Sequence, residues 1–345
     1  MTDPKAVKFI FQQGVRCLES QDFASAVALF DDVVKLTPDN ADAWFYRGSI
    51  LGHLQRYPES IDSFNGAIAL DPNNTKFWFH RGTTLASWGK YKEAIANFDL
   101  VLESEPHNYQ VWDSRGNSLI GLNLNEEAIA SYDRALELNP DFYMAWNNRG
   151  KALTNLSRWE AGLQSYDRSI KIKPDCPEIW YNRACLLMRA GQLKQAFASY
   201  NKAIKIDQAH VPSWINKGIT LSKLGQDKES LIAFEKALEF APNESSAWNN
   251  RGLTLRRLGR IPEAIASFEK SLKFKPDDGD AFYNKACCYV LLDQVDLAIK
   301  NLQQSIKIDP DEYLNSAIND SDFDAIRQDN RFQEIIHSVR RGDLK

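Results

Sequence analysis

SSAWNNRGLTLRRLGRIPEAIASFEKSLKFKPDD, residues 245–278, decides the fold, because its landmarks return every 34 residues in both directions. With Ser245 as position 1, position 4 is aromatic at Trp44, Trp78, Trp112, Trp146, Trp180, Trp214, Trp248 and Phe282. Position 8 is small at Gly14, Gly48, Gly82, Gly116, Gly150, Ala184, Gly218, Gly252 and Ala286. Position 32 is proline at Pro38, Pro72, Pro106, Pro140, Pro174, Pro242, Pro276 and Pro310, and Gln208 fills the remaining slot. Nine units therefore run without insertion over 7–40, 41–74, 75–108, 109–142, 143–176, 177–210, 211–244, 245–278 and 279–312. Residues 1–6 are read as an N-terminal cap and 313–345 as a C-terminal helical cap.

A period of this size implies a solenoid, in which each unit buries its apolar face only by stacking on its neighbours. Within a unit the apolar residues recur at helical spacing, as in Trp248, Leu255 and Leu258 on a first helix (A), then Ala264, Ile265, Phe268 and Leu272 on a second (B). Position 15 separates the two. Glycine at 89, 191, 225 and 259, and Asn123, Ser157 or Asp293, tolerate the left-handed conformation of a helix end, whereas Gln21 and Gln55 suit it less. Pro58 and Pro262 fall in the first turn of helix B, where no N–H donor is needed.

These landmarks, with alanine at position 20 (Ala26, Ala94, Ala128, Ala196, Ala264, Ala298) and an aromatic at 24, resemble the tetratricopeptide repeat (TPR) over residues 7–312. The expected fold is all-α, an α-α superhelix of nine helix-turn-helix repeats with a capping segment. The tail stretch SDFDAIRQDNRFQEII also resembles those that close many bacterial arrays of this family. There Phe332, Ile335, Ile336 and Val339 keep helical spacing, which predicts a final amphipathic helix over the ninth unit. At the other end Asp3 and Pro4 read as N-cap and first helical residue, and the degenerate first unit, with Ile10 at the tryptophan slot and Cys17 at a usual leucine, reads as a cap.

Composition narrows the function. A formal charge of −4 gives no basic excess for phosphates, so general nucleic-acid binding is not expected. No apolar run reaches membrane-spanning length and charges break up the amino terminus, which predicts a soluble, cytoplasmic chain without membrane insertion. Cys17, Cys176, Cys185, Cys287 and Cys288 form no CxxC pair, and His53, His80, His107, His210 and His337 show no metal-ligand spacing. No phosphate loop or nucleophile motif is present, so neither catalysis nor a cofactor or metal is expected.

Position 7 carries Arg47, Arg81, Arg115, Arg149, Arg183, Lys217, Arg251 and Lys285, where the common repeat has leucine. Asp31, Asp99, Asp133, Asp167, Glu235 and Glu269 at position 25 would face them from the preceding unit, giving a staircase of ion pairs that serves packing.

The resemblance further implies that helix A lines a concave groove with positions 2, 5, 6, 9, 12 and 13. Position 6 then carries five successive asparagines, Asn148, Asn182, Asn216, Asn250 and Asn284. An amide donates and accepts at once, so such a file can bond a peptide backbone without reading its sequence. The row resembles the asparagine ladder of the O-linked N-acetylglucosamine transferase, whose matching positions hold substrate backbones. The alternative, that these amides bond their own helices or water, stays open. Lys151, Arg189, Lys223, Arg256 and Arg257 add a basic fringe that would draw an acidic segment, although cations near a helix C-terminus also offset its dipole. Phe11, Phe45, Tyr46, Phe79 and His80 make the first half aromatic, as anchors for a partner's apolar side chains or as packing against the next helix.

The leading reading is a non-catalytic scaffold or assembly factor that holds a partner peptide or helix in its groove. Alternatives are a helical-repeat RNA-binding protein and a regulatory or substrate-binding subunit of an enzyme complex. The carboxylate clamp that docks chaperone tails in related proteins needs Lys or Arg at positions 5 and 6, and no unit has either.

Overall fold

The computed structural model describes residues 4–340, with side chains as far as His337. All its regular elements are helices, and no strand occurs among the described residues. The chain divides into two compact units, Met1–Pro174 and Asp175–Lys345.

The first unit holds five helix pairs: α1 (Pro4–Glu19) and α2 (Phe23–Leu36), α3 (Ala41–His53) and α4 (Tyr57–Leu70), α5 (Thr75–Ser87) and α6 (Tyr91–Ser104), α7 (Tyr109–Gly121) and α8 (Asn125–Leu138), α9 (Tyr143–Asn155) and α10 (Trp159–Ile172). The second holds four: α11 (Pro177–Arg189) and α12 (Leu193–Ile206), α13 (Val211–Lys223) and α14 (Asp227–Phe240), α15 (Ser245–Arg257) and α16 (Ile261–Phe274), α17 (Gly279–Leu291) and α18 (Val295–Ile308). Its tail adds α19 (Pro310–Asn319), a 3-10 turn (Ser321–Ile326) and α20 (Asn330–Arg340). Pro4 opens α1, while Asp3, its expected N-cap, lies outside the described residues.

Each pair turns at position 15, where all nine residues have positive φ, from 57° at Ser157 and Asp293 to 80° at Gly89. Gln21 and Gln55 adopt it as well, at 61° and 60°. Carbonyls left over at the end of helix A explain why. The residue after the turn donates its N–H five residues back, as Arg56 does to Leu51 (2.9 Å) and Arg260 to Leu255 (2.9 Å). That bond closes the helix whether or not the turning residue is glycine.

The tryptophans at position 4 close the other junction. Indole Nε1 of Trp44, Trp78, Trp112 and Trp146 donates to the carbonyl of Pro38, Pro72, Pro106 and Pro140, at 2.8–3.0 Å. Trp248 donates likewise to Pro242, and Trp214 to Gln208 (2.9 Å). The acceptor is backbone, so position 32 keeps this bond when proline is replaced. Position 8 is small because the position-24 ring lies on it: a Cβ on Gly116 would stand 2.6 Å from Tyr132, and on Gly252 2.6 Å from Phe268.

Basic residues at position 7 reach across the stack. Arg47 meets Asp31 (2.5 Å), Arg115 meets Asp99 (2.7 Å) and Arg149 meets Asp133 (2.6 Å) in the first unit. In the second, Arg251 meets Glu235 (3.1 Å) and Lys285 meets Glu269 (3.0 Å). A partner not read from the sequence is the serine at position 23. Arg47 also donates to Ser63 (2.6 Å), Arg115 to Ser131 (2.8 Å), Arg149 to Ser165 (2.8 Å) and Arg251 to Ser267 (2.7 Å). Arg81 finds Asn65 where its neighbours find a carboxylate (2.6 Å). One guanidinium thus ties the preceding helix B to its own.

Three segments close the second unit. Pro310 sits in the first turn of α19, and Asp309 caps it by accepting the Glu312 N–H (3.0 Å), so the helix starts ahead of the boundary at 313. Tyr313, Leu314, Phe323 and Ile326 join Phe332, Ile335 and Ile336 in one buried cluster with Ile299, Leu302 and Ile306 of α18. The side chain of Val339, the last residue of the expected stripe, lies outside the described residues.

Candidate functional site

In each unit the A helices form the closer-packed layer: α3 meets α5, α5 meets α7 and α7 meets α9, as α11 meets α13, α13 meets α15 and α15 meets α17, whereas no two B helices touch as extensively. Where contacts are made across this layer, position 6 of one repeat lies on position 5 of the repeat before. Tyr46 thus meets Phe11 (5.6 Å between ring centroids), His80 meets Phe45 (5.0 Å) and Asn148 meets Asp113. In the second unit Asn216 meets Tyr181.

In α1, α3 and α5 this register makes an aromatic core. Phe11 packs edge-on to Phe30 (5.4 Å), Tyr46 stacks on Phe30 (5.4 Å), and Phe79 packs against Phe98 (5.9 Å) and His80 (5.6 Å). Phe45 touches Phe64, Phe77 and His80 and is only 4% exposed, with the Lys76 ammonium 4.3 Å above its ring. Phe45 is therefore no anchor for a partner: its ring fills the space between successive helices. Phe11, Tyr46, Phe79 and His80 keep one half-buried edge each. Burial, and secondarily Lys76, lowers the His80 pKa and favours the neutral ring.

Further along the first unit, at α7 and α9, the register turns polar. Asp113, at position 5, is 8% exposed; it accepts from Asn117 Nδ2 (3.0 Å) and Asn148 Nδ2 (3.3 Å). The Tyr132 hydroxyl in turn donates to Asn117 Oδ1 (2.8 Å). Burial raises the Asp113 pKa against the pull of the two amides, and no ion pair to it is found among the described residues. Asp113 escaped the sequence reading, although an acid in a slot otherwise aromatic, aliphatic or amide was its signal. Lys151 stands exposed on α9.

The second unit carries the remaining asparagines on successive A helices. Asn182, Asn216, Asn250 and Asn284 are all half-buried. Asn216 Nδ2 donates to the Tyr181 hydroxyl (3.0 Å), and Asn250 Nδ2 to the Ser246 carbonyl of its own helix (2.8 Å). Beside Asn250, Asn249 holds a buried Oδ1 with no hydrogen-bond partner.

The basic fringe divides. Arg189, Lys223 and Arg257 are exposed at the ends of their helices, and Arg257 bonds Asp227 (2.9 Å) and Ser222 (2.6 Å). Arg256 does not belong to the fringe. It is turned to the tail, where it forms an ion pair with Asp322 of the 3-10 turn, its side chain 22% exposed. Tyr283 donates to the neighbouring Asp320 (2.8 Å), and Phe323 beside them is fully buried against Tyr283 and Phe332. The tail thus lays its own acidic stretch on α15 and α17, a contact that composition could not reveal.

Cys287, Asp320 and Asp322 lie close enough together to hold a metal ion, but Arg256 already meets Asp322 and Tyr283 already meets Asp320. Burial pushes the thiols of Cys185, Cys287 and Cys288 up, away from the reactive thiolate. No helix of the described residues is long and apolar enough to cross a membrane.

Comparison with known proteins gives the same frame. Models described as tetratricopeptide repeat match residues 11–75 and 114–175, 63–96, 177–210 and 245–278, and 211–244 and 279–312. No curated protein matches. Among solved structures, a tetratricopeptide repeat protein from Parabacteroides merdae ATCC 43184 is similar with a TM-score of 0.61 at 16% identity, over 73% of this chain and 99% of that one. The Cut9–Hcn1 hetero-tetramer of the APC/C gives 0.54 at 14%, over 89% and 74%. YrrB, a TPR protein with an unusual peptide-binding site, gives 0.46 at 24%, over 54% and 96%. The first two likenesses show a shared fold. Since the matched segments cover most of residues 11–312 and the helix pairs keep the same 34-residue register, the chain belongs to the tetratricopeptide repeat family.

Proposed function

We propose that the second unit holds an extended segment of a partner protein across α11, α13, α15 and α17. A tetratricopeptide repeat array is in general a protein-interaction scaffold, typically without catalysis; the finer reading rests on the amides. The observation that carries it is that Asn216 and Asn250 each spend an N–H inside the unit while their Oδ1 atoms accept nothing among the described residues. A partner's backbone N–H supplies the missing donor, and Asn250 keeps a second amide N–H for its carbonyl, whereas Asn216 Nδ2 also reaches Cys185 Sγ (3.9 Å). Equivalent atoms on stacked A helices stand roughly 10 Å apart, about three residues of extended chain. Lys223, exposed at the end of α13, favours an acidic segment, whereas Arg257 already meets Asp227.

Selection from a random peptide library against the intact chain provides the ligand. With Asn216, Asn250 and Asn284 all changed to alanine, its Kd should rise about 10- to 100-fold, since each bond contributes on the order of 1 kcal/mol. Lys223→Glu should slow association and flatten its salt dependence. An unchanged Kd in a triple variant with the parent's circular dichroism rules the amides out as the binding surface.

A further inference from the structure

A recess lies on the helix-A layer of the first unit, between α5 and α7, with a volume of about 320 Å³. Its floor and rim carry four hydroxyls, of Thr83, Ser87, Ser114 and Ser118. Every one of their protons is already used within a helix. Thr83 donates to the His80 carbonyl (2.8 Å), Ser87 to Thr83 (3.0 Å), Ser114 to Gln110 (2.9 Å) and Ser118 to Ser114 (3.1 Å). What the hydroxyls offer to the recess is therefore lone pairs.

Asn117 completes the polar wall, and its orientation is fixed, with Oδ1 accepting from Tyr132 and Nδ2 donating to Asp113. Directly behind it lies the buried Asp113 carboxylate, held by amides alone. A buried carboxylate without a counter-charge is unfavourable, and its field extends into the space in front of Asn117. The Tyr91 ring, which lies against Gly121, supplies the apolar wall, and Phe98 is buried beneath it. Four basic residues near it are turned elsewhere: Lys76 over the Phe45 ring (4.3 Å), Arg81 to Asn65 and Asn97, Arg115 to Asp99 and Ser131, and Lys90 over the Trp88 ring (3.8 Å).

From this arrangement we infer that the recess between α5 and α7 is a binding site for a cationic side chain of a partner, a lysine ammonium or an arginine guanidinium. Such a group brings only donors, which match acceptor-only hydroxyls, and its charge answers Asp113 across one amide. Its methylenes fit against Tyr91. The assignment concerns the first unit and stands apart from the amide row of the second, so either can fail alone.

The test is an NMR titration of the full chain with N-acetyl-lysine methylamide, N-acetyl-arginine methylamide, N-acetyl-norleucine methylamide and potassium chloride. Saturable shifts at Ser87, Ser114 and Asn117 are expected with the two cationic probes, at least about tenfold tighter than with norleucine. Asp113→Asn, which keeps shape and removes charge, should weaken the cationic probes several-fold. Ser87→Lys, at an exposed position that tolerates the change, should place the chain's own ammonium in the recess and abolish the shifts. Equal binding of norleucine, shifts reproduced by potassium alone, or no saturable shift with any probe would overturn the assignment.

Discussion

The two units repeat one backbone, but their helix-A layers differ in chemistry. In the first, positions 5 and 6 hold Phe11, Phe45, Tyr46, Phe79 and His80, whose rings consume one another's surface. The second carries Asn182, Asn216, Asn250 and Asn284 at position 6, all half-buried, with Asn216 bonded to Tyr181 and Asn250 to its own helix. The turns differ too. Three of the second unit's four are glycine, whereas the first has Gln21, Gln55, Asn123 and Ser157 beside a single Gly89. Rings in this layer pack on one another, whereas amides bond nearby polar groups, because burial stabilises a ring and an amide needs hydrogen-bond partners.

The sharpest way to break this contrast is to truncate one ring of the first layer and one amide of the second. Phe45→Ala should destabilise the chain by about 3–5 kcal/mol, as for a fully buried phenylalanine, while Asn250→Ala should stay within about 0.5 kcal/mol. Urea unfolding followed by circular dichroism reads both. Comparable losses at the two sites would mean that the amide layer is packed as tightly as the aromatic one.

A smaller effect separates two adjacent arginines of α15. Arg256→Gln strands the half-buried Asp322 and should cost about 1–3 kcal/mol, whereas Arg257→Gln, at an exposed pair, should cost under about 1 kcal/mol. High salt should erase the second loss and leave much of the first. If the order is reversed, the tail is not held through Asp322.

The smallest effect lies in the turns. Gln55 sits at φ 60°, so Gln55→Gly should stabilise the first unit by about 0.5–1 kcal/mol by relieving the left-handed strain. Gly225→Gln, the reverse change in the second unit, should destabilise by a similar amount. Melting temperatures of the two variants that move in the same direction would refute the shared turn geometry.

Most of the fold was legible because periodicity is a one-dimensional signal. Tryptophan at position 4, the small residue at 8 and the αL residue at 15 each serve contacts inside a unit or with its immediate neighbour, so spacing alone located the helix pairs. The ion pairs from position 7 were legible for the same reason, although their second partner, the serine at position 23, carries too little chemical character to stand out. The site was less legible. Phe45 and Arg256 occupy slots read as facing the groove, and nothing in their spacing tells whether a ring is covered or a charge already met.

By itself the sequence determined an all-α tandem array, its 34-residue register, its turn positions and an apolar cap at the carboxyl end. Those follow from residues near in the chain, whose relations repeat. Only the tertiary structure decided that Phe323 and Ile326 fill the cap, that Asp322 takes Arg256 from 66 residues away, and that Asp113 lies buried behind Asn117 with no ion pair among the described residues. Such contacts occur once, between residues whose separation follows no period, and burial or charge pairing is a property of the surroundings that no single residue carries.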